Sequence, residues 1–592
     1  MHTLVSALRT PRALRSRVFL AVALGSFALL APAPASAGWP LHPDDGGLPL
    51  CTAADYQWYA QAIEDGSGGL FVVWRDDRGR TVSLPNNSDV YAQHVSAAGV
   101  PLWGANGVAV CTDLGTQDRP ALCGDGAGGV YVAWSDGRTG NNDIWAQHLN
   151  AAGAPQWLVN GFRAARLDAA NDYAPSLVSD GAGGFLTVWY SYDAATGTRL
   201  RAQRMNAAGF QLWGTTGVAI GGPAGNQTDP RVLADGAGGM VLSWVQGSTP
   251  RSIRAQRVSG AGAAQWGTMG VAVTDTTRAA SRTHYLAPGL AGGARFLVHD
   301  TAIVPTPWYR DLDGTGASVR WAQVLPATAW SEIMTGACAG DSGATLVSTT
   351  NGGFESVQRI AADGTLDWGP HGQPVSPDTL GRTMYVTLAR DGAGGAYLVG
   401  TAVDTTTHFY EVRAQHVRWD RSLAWEDEGR TFASAVTGDQ QAPQAFATDH
   451  GVIALWQDYR TVATTGLDLY AQRMDSTGTP GVPVLDVQGA GGANVLALAA
   501  PWPNPARSGA AVTLRFTLPV AARVTLALHD VAGRRVRVLA DGAFAAGDHR
   551  VRIEDGEALA PGLYFARLTT PQGAAPGTAP GTALTRRIVI VR

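Results

Sequence analysis

Residues 117–157 read QDRPALCGDGAGGVYVAWSDGRTGNNDIWAQHLNAAGAPQW, and the same sentence recurs eight times along the 592-residue chain with a period of roughly 55 residues. Its Asp-Gly-x-Gly-Gly turn stands at Asp65, Asp125, Asp180, Asp235 and Asp391, in worn form around Gly292 and Asp341, and as Asp449-His450-Gly451. An alternating run follows each turn and ends in tryptophan in the better copies, at Trp74, Trp134, Trp189, Trp244 and Trp456. Period-two alternation of β-branched and aromatic residues marks a half-buried strand. The next strand carries an Ala-Gln pair at Gln93, Gln147, Gln203, Gln256, Gln323, Gln415 and Gln472, with Val357-Gln358 in the remaining copy. A small-residue turn, usually a tryptophan, and a GVAV-like strand complete the unit. With the short strand ahead of the glycine turn, each unit has four strands.

Four antiparallel strands per unit and no helical periodicity predict an all-β chain whose sheet edges are best protected in a radial array. The chain resembles a β-propeller, and eight copies predict eight blades. The phase of the repeat supports closure. GGLPLC at residues 46–51 aligns with NGVAVC at 106–111, so the repeat region opens on an orphan outer strand that could complete the last blade. The alternative is a stack of sheet units without ring closure; single repeats cannot bury both faces, which favours the ring.

The N-terminus sets Arg9, Arg12, Arg15 and Arg17 before the apolar run 18–30 and Ala35-Ser36-Ala37, the order of a secretory signal peptide over residues 1–37. No other segment is long and apolar enough to span a bilayer. The expectation is an exported chain, with repeats over 38–488, a linker over 489–500 and a separate domain over 501–592. All 44 basic residues are arginine, which excludes lysine Schiff-base chemistry. Four cysteines are too few for a disulfide framework. A Cys111–Cys123 bridge between neighbouring strands is possible, and buried packing is the plainer reading of Cys123.

Beyond Pro501-Trp502-Pro503-Asn504-Pro505 the text changes to alternating runs separated by AG, DG and PG turns, which predicts a small β-sandwich. The Pro503-Asn504-Pro505 opening, the stretch His529-Asp530-Val531-Ala532-Gly533-Arg534, Gly562-Leu563-Tyr564 and the closing Arg586-Arg587 resemble the C-terminal sorting domain of type IX secretion cargo. The same strand pattern is similar to the Ig-like domain of the FlgD-type hook-capping family. The resemblance departs in ending on arginine and in the low-complexity insert at 573–583. It implies an Ig-like fold, export by outer-membrane secretion machinery, and the surface of a Gram-negative-type bacterium as destination. This tail carries 12 arginines against 6 acids, which leaves the repeats strongly acidic and argues against nucleic acid as a partner.

The best functional candidate in the sequence is the loop after the tryptophan strand. Three copies place Asp76 and Arg78, Asp136 and Arg138, and Asp458 and Arg460 there, followed by Asp89, Asp143 or Asp468 before the next strand. In a closed ring these belong to neighbouring blades eight, one and two. Carboxylates and arginines could hold a sugar, a cation or a peptide, or could pair with one another to brace the loop. The recurrent glutamine suits a buried amide bonded to backbone of an adjacent strand or blade. The residue after it, His94, His148, Arg204, Arg257, Arg359, His416 or Arg473, reads as an outward-facing strand position. Asp311-Leu312-Asp313-Gly314 resembles the opening of a calcium loop without its closing acids, so calcium at Asp311 and Asp313 is an expectation and no other cofactor is implied. No carboxylate pair is marked for glycosidic chemistry. The expected function is a non-catalytic binding or adhesion protein with an extracellular glycan or protein ligand, set against an extracellular propeller hydrolase or lyase acting on polysaccharide.

Overall fold

The computed structural model describes residues 38–591 apart from short internal segments, the longest being 482–496, 499–505, 376–383 and 570–582. The expected signal peptide, most of the linker and the Pro-Asn-Pro opening lie outside the described residues. Eight four-stranded antiparallel sheets follow the sequence repeat. In the first, strand a is Gln57–Glu64, strand b Leu70–Asp76, strand c Asp89–Val95 and strand d Val108–Cys111. Blades two to eight open their a strands at Gln117, Asn171, Gln227, Ala280, Ile333, Met384 and Gln440.

The eighth sheet takes its d strand from the other end of the repeat region. Leu48–Cys51 pairs antiparallel with Asp468–Asp475, Leu48 opposite Ala471. Blade eight is then sewn to blade one: Gln444 Nε2 donates to Ala60 O at 2.7 Å, and the Gln57 amide donates to Leu467 O at 2.9 Å. The ring is closed, and the orphan-strand reading is the way it closes. Strands a of successive blades lie side by side around the axis, tied by bonds such as Tyr285 OH to Thr335 O at 2.9 Å, and the d strands are outermost.

Each sheet face packs on the next blade. The b-strand tryptophans Trp74, Trp134, Trp189 and Trp244 are fully buried. The glycine opening strand d sits directly on them: Gly107 has φ +76°, and a Cβ there would lie 2.5 Å from both Trp74 and Ala92 O. That position therefore requires glycine.

A second set of indoles clasps one blade to the next. Trp103, Trp157, Trp213 and Trp266 donate Nε1–H to Ala151, Ala207, Gly260 and Gly314, each a turn carbonyl of the following blade. Blade eight has no such tryptophan of its own. Trp39 fills the place, donating to Ala97 O at 2.8 Å.

The recurrent glutamine is buried, as expected, and serves its own hairpin. Gln93 accepts from the Trp103 amide at 3.0 Å and donates to Gly104 O at 2.6 Å, and Gln147, Gln203, Gln256 and Gln358 repeat the first of these contacts. Gln323 is the exception: it lies in strand d of blade five, Ser318–Gln323, and Arg310 takes the glutamine position in strand c. The residues after the glutamine do not face outward. His94, His148 and His416 reach back to Asp65, Asp125 and Asp391 at 3.0, 2.9 and 2.9 Å, and Arg204 and Arg257 do the same to Asp180 and Asp235.

Asp65 thus has two duties, since its other oxygen accepts from the Ser67 and Gly69 amides at 2.7 and 2.8 Å. Burial would raise its pKa, but the His94 bond and these amides outweigh burial and hold it below the usual carboxylate value. All four cysteines are free thiols.

The tail forms two further sheets, of three and five strands, sharing one core of Leu514, Phe516, Leu526, Leu528, Ile553, Leu568 and Ile588 among others. It is a β-sandwich.

Candidate functional site

The Asp-Arg loops are built alike in blades eight, one and two. Asp76 ends strand b with its carboxylate turned into the blade and fully buried. Trp74 Nε1 donates to it at 2.7 Å, the Arg78 amide at 2.9 Å, and the Arg78 guanidinium at 2.8 and 2.7 Å through Nε and Nη2. Asp136 takes the same four donors from Trp134 and Arg138, and Asp458 from Trp456 and Arg460. Each guanidinium also covers an aromatic ring of strand c: Arg78 over Tyr91 at 3.8 Å, Arg138 over Trp145 at 3.9 Å, Arg460 over Tyr470 at 4.0 Å.

A carboxylate offers about four acceptor directions, and in each brace all are filled from within. The three arginine–aspartate pairs do come together in one sector of the ring face, with their charges spent on the loop itself.

The second aspartates stand directly across the strand pair, Asp89 opposite Asp76, Asp143 opposite Asp136 and Asp468 opposite Asp458. Burial, then the Asp76 charge, pushes Asp89 up to about 6. Asp143 is held by Thr139 at 2.8 Å and Arg163 at 3.1 Å.

Asp311 and Asp313, where calcium is expected, are both engaged within the protein. Asp311 is the penultimate residue of strand c of blade five, and both its oxygens are taken by the buried guanidinium of Arg295, at 2.8 and 3.0 Å. Asp313 caps the c–d hairpin, accepting from the Thr315 and Ala317 amides at 2.9 and 3.0 Å. Among the described residues no group of three or more metal-ligating side chains exists.

The ring mouth shows what the motifs did not. In all eight blades the register between strands a and b breaks at one place, early in strand a, level with the end of strand b. In five of them the bulged residue has left-handed backbone without being glycine: Tyr59, Arg119, Ala174, Asp229 and Ala442, at φ 53°, 48°, 50°, 54° and 50°. Such backbone costs of order 1 kcal/mol or more for a residue with a Cβ, most for a bulky one. Bulges re-aim side chains, and here they aim them at the axis end on the face of the braced loops.

The bulges are held from across the seam by the residue after the blade tryptophan. Ser135 Oγ accepts from the Ala174 amide at 2.9 Å, Tyr190 OH accepts from the Asp229 amide at 2.8 Å, and Arg75 Nη1 donates to Asp118 at 3.2 Å.

Aromatic and charged groups gather there. Tyr56 stacks on Trp58 at 5.5 Å, Tyr59 is 43% exposed, and the Arg119 guanidinium lies over the Tyr59 ring at 5.2 Å. The sequence carried a signal for this. Pro120, Pro175, Pro230 and Pro443 each follow the bulged residue inside a strand, where proline is confined to edges, first positions and bulges.

No family model matches the chain, and no curated relative does. Solved structures similar to it include a polysaccharide lyase, ulvan lyase, at 11% identity over 62% of this chain and 96% of the other, TM-score 0.39. The BP39L lectin from Burkholderia pseudomallei matches at 13% identity over 63% and 98%, TM-score 0.39. A thermostable family-43 glycoside hydrolase matches at 11% identity over 46% and 100%, TM-score 0.26. The expectation of a non-catalytic chain is corrected, since polysaccharide lyases and a glycoside hydrolase stand among the similar structures.

Proposed function

We propose that this chain is an exported propeller that engages polysaccharide at the ring mouth, through the side chains that the bulges of strands a turn toward the axis. The single observation that carries this is the recurrence of non-glycine left-handed residues at one repeat position, five times, with Tyr59 and Arg119 in contact across a blade seam. Backbone strain repeated at one place suits preorganisation for a ligand. Flat aromatic faces beside arginine and aspartate are the groups that sugar rings use, apolar face on ring and hydroxyls on charged groups. Glycan as ligand agrees with what the similar lectin, lyase and hydrolase folds handle. The braced Asp-Arg loops then serve as the rigid wall of the site.

The test is to titrate the full chain with neutral and acidic soluble polysaccharides, following both retention and chain cleavage, beside Tyr59→Ala. Loss of about tenfold or more in affinity or turnover with an unchanged unfolding midpoint supports the reading. Equal behaviour of variant and parent overturns it.

The tail is proposed as the export and attachment module, docking on outer-membrane secretion machinery, on the strength of its sequence resemblance. Among the described residues no helix is long and apolar enough to cross a membrane. Removing residues 501–592 should leave the chain in the producing cell; undiminished export would remove the proposal.

A further inference from the structure

Asp143 and Asp468 are capped by a threonine of their own loop, Thr139 at 2.8 Å and Thr461, and Asp143 also holds Arg163 at 3.1 Å. Both hydroxyls come from the residue that follows the brace arginine. In blade one that residue is Gly79, and Ala109 stands opposite Tyr91 where Arg163 stands opposite Trp145. Asp89 is left without either partner. It is 4% exposed, its Oδ1 is buried and unbonded, and among the described residues no group donates to its Oδ2. A carboxylate withdrawn from water without a donor costs free energy that the sister blades avoid.

The place of the missing threonine is framed by polar groups. A Cβ on Gly79 would lie 2.7 Å from Asp89 Oδ2 and 2.9 Å from Asn87 Nδ2, so an acceptor and a donor face one point beside this glycine. The Asn87 amide is fixed in that sense, because its Oδ1 accepts from the Gly115 amide at 3.2 Å. Gly79 and Asn87 are half-buried, so the point is reached from the face of the braced loops. It adjoins the mouth on two sides. The Asp77 amide donates to Tyr56 O at 2.9 Å, and Ser88 O accepts from the amide of Gln117, two residues ahead of Arg119, at 2.9 Å. A cation would satisfy Asp89 but meet the Asn87 N–H groups head-on. A hydroxyl satisfies both, donating to the carboxylate and accepting from the amide. The protein itself displays the first half of that contact, as Thr139 on Asp143.

We propose that Gly79, Asn87 and Asp89 form a subsite for a hydroxyl of the polysaccharide, the ligand supplying in blade one the group that threonine supplies in blades two and eight. The proposal rests on the glycan reading above and narrows it. The group seated there is uncharged, since a carboxylate or sulfate would face Asp89 itself.

The experiment uses the full chain with dextran, galactomannan and polygalacturonate as probes. Each is titrated against the parent, Gly79→Thr, Asp89→Asn and Tyr59→Ala, and each protein is unfolded in urea. Gly79→Thr should weaken the best probe about tenfold or more and raise the unfolding midpoint, because the new hydroxyl caps Asp89 as Thr139 caps Asp143. Weaker binding in a more stable protein is an outcome that mere disturbance of the loop does not give. Asp89→Asn, which changes little volume, should weaken the same probe about tenfold and keeps the test open if the threonine fails to seat. If binding falls in Tyr59→Ala but keeps the parent value in Gly79→Thr and Asp89→Asn, the subsite is overturned and the glycan site stands. If polygalacturonate binds best, with affinity that falls as salt rises and falls again in Asp89→Asn, the hydroxyl assignment is overturned. If no probe binds the parent, both readings fall.

Discussion

Blades eight, one and two differ from blades three and five in how they close the end of strand b and the seam, and the difference separates what the repeat needs from what it merely prefers. In the first group the end of strand b is closed by tryptophan, aspartate and arginine in a fixed arrangement. In blade three Ser191 replaces the aspartate, and a carboxylate arrives instead from strand a: Asp172 stands where blades one, two, four and eight carry buried Gln57, Gln117, Gln227 and Gln440. Asp172 is fully buried, and neither oxygen finds a hydrogen-bond partner of normal geometry, nor does the Trp189 indole. In blade five the Phe-His or Tyr-His pair of the regular seams is exchanged for Arg295 and Asp311. Arg295 then crosses to blade six, donating to Ile360 O and Ala361 O at 3.1 and 3.0 Å. The seam needs a donor that reaches the next blade's turn. An indole, a histidine or an arginine will do.

Breaking the regular brace should have the largest effect. Asp136→Ala leaves Arg138 without its buried partner and the Trp134 indole unpaired, and should cost about 3–5 kcal/mol in urea unfolding. Gln246→Ala, at the neutral equivalent in blade four where Gln246 accepts from Trp244 at 2.9 Å, should cost about 1–2 kcal/mol. Equal costs would mean that the charge pair adds nothing to the brace.

Next comes the worn seam. Arg295→Ala should cost about 3 kcal/mol, because Asp311 keeps only the more distant Arg320 at 3.5 Å. The double change Arg295→Met with Asp311→Leu should return to within about 1 kcal/mol of the parent. If the double variant stays as unstable as the single one, the carbonyl contacts to blade six, and not the buried ion pair, hold that seam.

The smallest effect is also the one that depends on pH. Burial pushes Asp172 up to about 6, against about 3.9 in an unfolded chain. A raised carboxyl contributes stability below the unfolded value and loses it as pH rises through the folded one, here between about 4 and 6. Asp172→Asn should therefore stabilise the protein at pH 7 by about 1–2 kcal/mol and make no difference at pH 4, read from unfolding midpoints at both values. A constant difference at the two pH values would mean that the carboxyl is not neutral in the fold.

Much of the fold was legible because it repeats. Strand count per blade, blade number and the orphan strand at 48–51 all follow from one aligned period. What escaped lies outside the alignment or against it. Trp39 completes the ring of clasps from nine residues ahead of its strand, whereas Trp103 leads its strand by five, so no spacing points to it. Gln323 was misplaced because blade five keeps the Ala-Gln pair in the wrong strand. The Asp-Arg loops were conspicuous as charge, and the structure spends that charge internally. The ring mouth was quiet in sequence because its side chains, Tyr59, Arg119, Ala174 and Asp229, share a backbone conformation and no chemistry. Mid-strand proline was its only trace.

Leu48–Cys51 also sets an order of events. The Gln472 side chain that bonds Pro40 lies 432 positions further on. At about 5–20 residues per second, the first strand made waits tens of seconds for the blade it completes. During that time it is a free edge beside seven sheets of its own kind, each already holding a d strand. Brevity and Pro49, which removes one donor from the four-residue strand, keep that waiting edge from recruiting a neighbour before its own partner arrives.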